Sequence, residues 1–322
     1  MSTKDELLLL FEKNKGTYLS GEEIADSLQI SRTAVWKAVN SLRNDGYDID
    51  AQKTKGYCLS PMTDKVSSQG ISKYLTKDLE VEVYDEVGST NNMLKERASQ
   101  GAKEGLVIVA NSQTGGKGRL GRSFYSPLDT GVYISVLLRP QNIEPQKALK
   151  ITTMAAVAAC KAVETVTDKK ALIKWVNDIF VDGLKVAGIL TEASLSMETG
   201  NLEYAVLGIG FNVYEPNGGF PEEIKGIAGA ILDETVPDAK NRLASEFLNR
   251  FKDIYDNMDT SNYDIEYKKR SFVIGKKVNV ISPTDTRKAT VLDITSDCAL
   301  IVEYEDGTKG TLSTGEVSIR PE

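Results

Sequence analysis

The 322-residue sequence predicts a multi-domain α+β chain, on three observations. The first 60 residues carry helical periodicity and then a short alternating stretch. The middle carries β-branched runs separated by long helical segments. The last fifty residues hold only short alternating runs with Asp-Gly and Thr-Gly turns. Ordinary apolar content over this length supports two or three domains, each with its own core.

In order along the chain, "YLSGEEIADSLQISRTAVWKAVNSLRNDGY" reads as two helices joined by a tight turn. Ser20 and Glu23 form a capping box at the start of the first, and Ser31 caps the second. In the second helix Val35, Ala38, Val39 and Leu42 recur at helical spacing. That leaves Arg32, Thr33, Trp36, Lys37, Asn40 and Arg43 on its other faces. A recognition helix in a major groove needs this basic, amide-bearing set to read base edges and touch phosphates. "YDIDAQKTKGYCLS" follows as two short strands around a basic turn, with Lys53 and Lys55 placed to meet the DNA backbone. Together these features predict a winged helix-turn-helix over 1–62, although the whole chain carries a formal charge of −7. The polar, breaker-rich stretch from Ser60 to Gly70 reads as a linker.

Strands are expected at Gly105–Ala110, Gly131–Leu138, Leu172–Val181, Val186–Leu190 and Leu202–Val213, with helices over Glu144–Val166 and Ala239–Met258. They predict a central mixed-sheet α/β domain over 63–270. The remaining residues, 271–322, predict a small β-barrel of SH3-like size. No internal repeat or low-complexity segment interrupts this order.

Composition removes several chemistries. Without histidine, neither Ser-His-Asp nor Cys-His nucleophile systems nor imidazole metal sites are available. Cys58, Cys160 and Cys298 are far apart and form no C-x-x-C pair, so neither a zinc cluster nor a disulfide framework is written here. No apolar run approaches the ~20 residues that cross a bilayer, and the start lacks a signal peptide's basic region and cleavage site. A cytoplasmic protein without a membrane partner is the expectation.

Three segments carry chemistry. In "GGKGRLGR", Gly115 to Arg122, four glycines and three cations occur with no acid. It is not a Walker A loop, because Lys117 is followed by Gly118 rather than Ser or Thr. Gly116, Gly118 and Gly121 satisfy G-x-G-x-x-G, but no helix opens there, so the dinucleotide fingerprint fails. What remains is a backbone able to approach a ligand closely, with Lys117, Arg119 and Arg122 as donors to an anion such as phosphate. Like charges in one loop also predict mobility until that anion arrives. In "IKWVNDIFVDGLKVAGILTE", Asn177 and Asp178 fall within apolar strands, where a carboxylate neither paired nor metal-bound is costly, and Mg²⁺ would account for it. Lys185 stands at the start of the next strand, with Gly188 leaving room nearby. In "VGSTNNMLKERAS", Ser89 or Thr90 caps a helix where hydroxyls and amides converge.

The ordered segments "VGSTNN", "QTGGKGRLGR", "KWVNDI…GLKVAGILTE" and "VLGIGFNV" resemble the biotin protein ligases over essentially the whole chain. With the winged helix in front, the chain resembles the bifunctional ligases that also repress the biotin operon. That resemblance implies a biotin-ligase-type catalytic domain. It places Ser89, Thr90, Asn91, Gln113 and Gly188 on biotin, with Lys117, Gly118, Arg119 and Lys185 near its carboxylate and the α-phosphate. Lys185, Arg119 and Lys117 would be the catalytic cations. Gly116, Arg122, Phe124, Asn177, Gly208, Gly210 and Asn212 would border ATP, and Asp178 would serve Mg²⁺. The chain departs from the usual family wording at Lys117 (usually Arg), Val176 (usually Pro) and Phe124 (often Trp).

The implied activity is formation of biotinyl-5′-AMP from biotin and ATP, then biotin transfer to a lysine of the biotin carboxyl carrier protein of acetyl-CoA carboxylase and other biotin-accepting carboxylases. The retained adenylate would act as corepressor, favouring a homodimer on palindromic operator DNA. Readings from other classes are a small-molecule-sensing regulator without ligase activity, and a lipoate-ligase relative.

Overall fold

A computed structural model describes residues 2–140, 148–195, 201–281, 285–313 and 316–319. It divides into one unit formed by Met1–Thr76 with Glu234–Ser245, and a second formed by Lys77–Asp233 with Glu246–Glu322. No described helix is long and apolar enough to cross a membrane.

The first unit begins with α1 (Thr3–Lys13), α2 (Gly21–Leu28) and α3 (Arg32–Asn44), followed by the antiparallel strands β1 (Ile49–Gln52) and β2 (Gly56–Leu59). The expected capping box of Ser20 with Glu23 is present, and Ser31 accepts from Ala34 N. The sequence reading had not marked α1, which Ser2 and Asp5 start with a capping box of their own. Leu7 and Phe11 of α1 join Ile24, Val35, Val39 and Leu42 in one core. Each helix buries one apolar stripe against the other two.

Ser60 to Gly70 departs from the expected linker. Thr63, Asp64, Val66 and Ser67 are buried, Ser67 caps the short helix α4 (Ser68–Ser72), and both Asp64 and Ser67 bond residues of 234–245. Lys240 N donates to Asp64 Oδ1 (2.9 Å), and Ser67 N to Asn241 Oδ1 (3.1 Å). These partners are supplied from 174 residues or more along the chain, which local composition does not encode.

The second unit is built on a seven-stranded sheet of order β3-β4-β5-β9-β8-β7-β6. Its strands are β3 (Glu80–Val87), β4 (Leu106–Gln113), β5 (Gly131–Leu138), β6 (Leu172–Lys174), β7 (Asp178–Val181), β8 (Leu184–Leu195) and β9 (Leu202–Asn212). Only β3 and β4 run parallel; every other pair is antiparallel. The expected continuous strand Leu172–Val181 is therefore wrong: it breaks at 175–177 into the antiparallel pair β6 and β7, so Asn177 lies in a turn. The apolar run hid the turn because it contains neither Gly nor Pro.

With this sheet belong α5 (Thr90–Ser99), α6 (Ala148–Val166), α8 (Tyr263–Arg270) and the part of α7 (Ala239–Asp256) from Glu246 onward, its earlier residues being counted in the first unit. Residues 144–147, which begin the expected α6, lie outside the described residues. Alternation along β9 separates two faces. Val206 packs with Leu94 and Ala98 of α5, whereas Phe211 meets Phe247 of α7 edge-on at 5.7 Å. On β8, Thr191 on the α6 side lies 2.7 Å from Thr152. One face is thus covered by α6 and the Phe247 turn of α7, and the other carries α5 and the functional residues. The C-terminal strands β10 (Lys277–Ile281), β11 (Thr286–Ile294), β12 (Leu300–Tyr304), β13 (Lys309–Leu312) and β14 (Glu316–Ile319) form an antiparallel sheet of order β13-β12-β11-β10-β14.

Candidate active site and DNA-binding surface

Period-2 alternation of β9 brings Gly208 and Gly210 to the α5 face, where they make room for neighbours. A Cβ on Gly208 would stand 2.1 Å from Asn91 Oδ1, and one on Gly210 would stand 2.5 Å from Phe124 Cε1. Directly paired across β5 and β9, Ser135 faces Gly208 and Tyr133 faces Gly210. Ser89 caps α5 and presents the next two residues to the sheet. Thr90 N donates to Gln113 Oε1 (2.9 Å), Gln113 Nε2 donates to Ser126 Oγ (3.1 Å), and Asn91 Nδ2 donates to Glu192 Oε2 (2.8 Å). These contacts shape a recess of about 310 Å³ lined by Ser89, Thr90, Asn91, Gln113, Lys117, Phe124, Gly188, Gly208 and Gly210. Leu190 and Ile209, which the sequence reading did not select, complete it. Apart from Lys117 its polar groups are neutral hydroxyls and amides.

A second recess, about 560 Å³, is lined by Gly118, Arg119, Arg122, Phe124, Asn177, Asp178 and Lys185, together with Leu120, Ser123, Lys174, Trp175 and Val317. Its presence of Lys185 depends on a β-bulge. Asp178 pairs with Gly188 and Phe180 with Lys185, with the register shifting in between. The extra residue turns Lys185 onto the face shared by Asp178 and Gly188, although three positions separate it from Gly188. Lys185 Nζ then lies 2.7 Å from Asp178 Oδ1. That ion pair supplies the pairing that a carboxylate among apolar strands requires. Asp178 Oδ1 is buried, with Lys185 as its charge partner and no hydrogen bond in addition. The described residues hold no group of three His, Cys, Asp or Glu side chains that could cage a metal.

The turn at 175–177 is held from three sides. Trp175 Nε1 donates to Cys298 O (2.9 Å), Tyr267 Oη to Val176 O (3.0 Å), and Asn177 Nδ2 to Ile189 O (2.8 Å). Burial pushes the Tyr267 phenol well above its usual pKa, so it remains a donor.

Backbone hydrogen bonds tie the cationic loop across its width. Phe124 N donates to Gly116 O (2.9 Å) and Gly118 N to Arg122 O (2.7 Å). A Cβ on Gly116 would meet Phe124 O at 2.5 Å, so only glycine fits this crossing. Lys117 Nζ rests on Asn92 Oδ1 (2.9 Å) and Arg119 Nη1 on Asn177 Oδ1 (3.1 Å). Neutral amide oxygens thus engage two of the loop's three cations. Phe124 borders both recesses, with Lys185 Nζ 6.0 Å from its ring centroid. Of the remaining expected residues, Gly116 lines neither recess, and Asn212 ends β9 opposite Gly131, also outside both.

In the first unit, α3 exposes Arg32, Thr33, Trp36, Lys37 and Arg43, with Asn40 half-buried. Trp36 is 56% exposed. Lys53 and Lys55 lie in the exposed β1–β2 turn. Arg43 departs from a purely ligand-facing role, since its Nε and Nη2 both donate to Ile49 O (3.0 and 2.6 Å) and so tie α3 to β1. Arg32 pairs with Glu22 (2.6 Å).

Residues 83–212 match the Biotin/lipoate A/B protein ligase family, 3–58 an HTH domain, and 273–320 the Biotin protein ligase C terminal domain. The chain is 33% identical over 314 residues to the bifunctional ligase/repressor BirA of Bacillus spizizenii, covering 95% of each protein. It is 26% identical over 309 residues to the Escherichia coli protein of the same name, covering 95% of this chain and 94% of that one. Among solved structures, a biotin protein ligase from Aquifex aeolicus, in complex with biotin and ATP, superposes with a TM-score of 0.63 at 25% identity, covering 76% of this chain and 99% of that one. The four ordered motifs, the HTH unit and a third of all positions over nearly the full length agree: this chain belongs to the family of bifunctional ligase/repressors of the BirA type, within the biotin protein ligases.

Proposed function

We propose that the protein condenses biotin with ATP to biotinyl-5′-AMP, transfers biotin to an acceptor lysine, and, with the adenylate retained, represses transcription. The observation that carries this reading is the junction of the two recesses. A neutral hydrogen-bonding recess suits a ureido ring, a cation-lined one suits a nucleotide, and Lys185 approaches their shared border at Phe124 and Gly188.

A carboxylate oxygen of biotin attacks the α-phosphorus, the α–β phosphoanhydride bond breaks, and pyrophosphate leaves. This step needs alignment and charge neutralisation more than a base, which agrees with a chain lacking histidine. Lys185 exchanges Asp178 for the reacting carboxylate and α-phosphate, while Arg119 and Lys117 leave their amide oxygens for phosphate and carboxylate. For Arg119 and Lys117 an anion replaces a neutral amide oxygen, which favours the exchange. Asp178, whose carboxylate the Lys185 exchange would release, fits a Mg²⁺ that takes most of its ligands from phosphates and water. The ion would supply charge neutralisation on the phosphates. In the second step the acceptor lysine's amine attacks the acyl carbon, AMP departs with the bonding electron pair, and the amine's proton passes to solvent.

The acceptor in this reading is the biotin carboxyl carrier protein of acetyl-CoA carboxylase and similar carboxylase domains. Residues 1–62 bind operator DNA, 63–270 carry the ligase site and 271–322 form an SH3-like module. Homodimers place two recognition helices on a palindrome. Lys185→Ala should lower the rate of biotin-dependent pyrophosphate release about a hundredfold or more. A rate within threefold of the wild type would remove Lys185 from the reaction.

A further inference from the structure

The hydrogen-bonding polarity of the neutral recess is set by residues behind it. Asn91 Nδ2 donates to Glu192 Oε2 (2.8 Å) and to Leu190 O (3.3 Å). Two acceptors use both amide protons, so Asn91 Oδ1 must face the other way, where Ser135 Oγ stands at 2.6 Å. Ser135 is fully buried, and its single proton is therefore committed to Asn91. Thr90 Oγ1 lies 2.8 Å from the same Ser135 oxygen, which can only accept there.

The Thr90 proton consequently goes to Ser135 Oγ or to Gln113 Oε1 (3.1 Å). In neither case does it remain for a ligand, so Thr90 offers lone pairs to the recess. Gln113 Oε1 is taken by Thr90 N, which fixes Gln113 Nε2 as the donor end. One Nε2 proton serves Ser126 and the other is left for the recess. Glu192 anchors the series: Lys95 Nζ holds Oε1 at 2.7 Å. Burial raises the Glu192 pKa, but the bonds from Lys95 and Asn91 outweigh it and hold the carboxyl below its ordinary value, so it stays an acceptor.

We propose that the Lys95–Glu192 pair is a specificity determinant for the acid substrate: by fixing the Asn91 amide it orients the Ser135 and Thr90 protons. The recess then presents an acceptor at Thr90 beside a donor at Gln113. That pattern matches the N–H and C=O of a cyclic urea, and a dithiolane ring offers neither. Both residues act through Asn91 and touch no substrate, so they are positioning residues. The proposal rests on the reading of this recess as the biotin site.

The test uses Glu192→Gln, whose amide can present either end to Asn91, and Lys95→Met, which leaves the carboxylate in place without its anchor. Titration calorimetry of the full chain measures dissociation constants for biotin, for a biotin analogue methylated on a ureido nitrogen, and for ATP alone. Wild type should favour biotin over the methylated analogue. Glu192→Gln should weaken biotin about tenfold while changing the analogue and ATP less than twofold, so that discrimination narrows about tenfold. Lys95→Met should shift biotin in the same direction by a smaller factor. Equal weakening of biotin and analogue would indicate general damage and overturn the proposal, as would biotin binding within twofold of wild type in both variants. A wild-type chain that binds no biotin defeats the biotin reading itself, whereas normal wild-type binding with unaltered variants defeats only the positioning role.

Discussion

Gly208 and Gly210 show what single residues decide at this site. At both positions a side chain is excluded by contact with a functional neighbour rather than by backbone torsion, since the Cβ would collide with Asn91 or with Phe124. Gly208→Ala should displace the Asn91 amide, undo the hydrogen bonds to Ser135 and Glu192, and weaken biotin binding at least tenfold; titration calorimetry reads this directly. An unchanged affinity would mean that Asn91 does not shape the recess. At this scale the residue types were legible in the sequence: hydroxyls at a helix cap, cations among glycines, a lysine leading a strand. Their partners were not. Lys117 with Asn92, and Arg119 with Asn177, join segments 25 and 58 positions apart, and nothing local encodes those pairings. Ser135 was missed because it sits inside an unbroken apolar run and reads as a core position.

Among elements, the bulge in β8 and the turn at 175–177 do most to assemble the charged recess. The strand-rich character of 172–195 could be read from β-branched residues, but a one-residue register shift has no compositional mark, and it alone decides which face Lys185 occupies. The packing of α6 against α8 makes a separate prediction. Arg270 grips Glu164 through Nη1 and Nη2 (2.6 and 2.9 Å), and Ala171 N also donates to Glu164. Burial alone would raise the Glu164 pKa, but these bonds hold it below the ordinary 4.5. A carboxyl with a depressed folded pKa contributes its stability above the unfolded value and loses it as pH falls through the folded value. Glu164→Gln should therefore destabilise the protein by about 2 kcal/mol at neutral pH, and the gap should close well below pH 4.5. Urea midpoints of both proteins at neutral and acid pH measure this, and a gap independent of pH would refute the ion-pair account.

For the whole molecule, the formal charge of −7 conceals a basic surface on α3 and the β1–β2 turn. Arg32 is paired with Glu22, so in the proposed DNA complex Arg32 would exchange that carboxylate for phosphate or a base edge. Arg32→Ala with Lys37→Ala should weaken binding to operator DNA and reduce the slope of log K against log salt by about 2 if both contact phosphate. Fluorescence anisotropy over a salt series reads it, and an unaltered slope would exclude α3 from the interface. The order of helical, mixed and all-β regions was readable because hydrophobic periodicity changes from one to the next. The inclusion of 234–245 in the first unit was not, since Asp64 and Ser67 find their partners there only after the chain has folded.

In the proposed reaction the two recesses meet to join biotin to a nucleotide. Pyrophosphate release and mass analysis of the protein-bound product, after mixing the full chain with ATP, Mg²⁺ and either biotin or lipoate, test it most directly. One equivalent of pyrophosphate with biotin, a retained biotinyl-5′-AMP and little reaction with lipoate are expected. Preferential turnover of lipoate, or binding of biotin with no pyrophosphate formed, would contradict it.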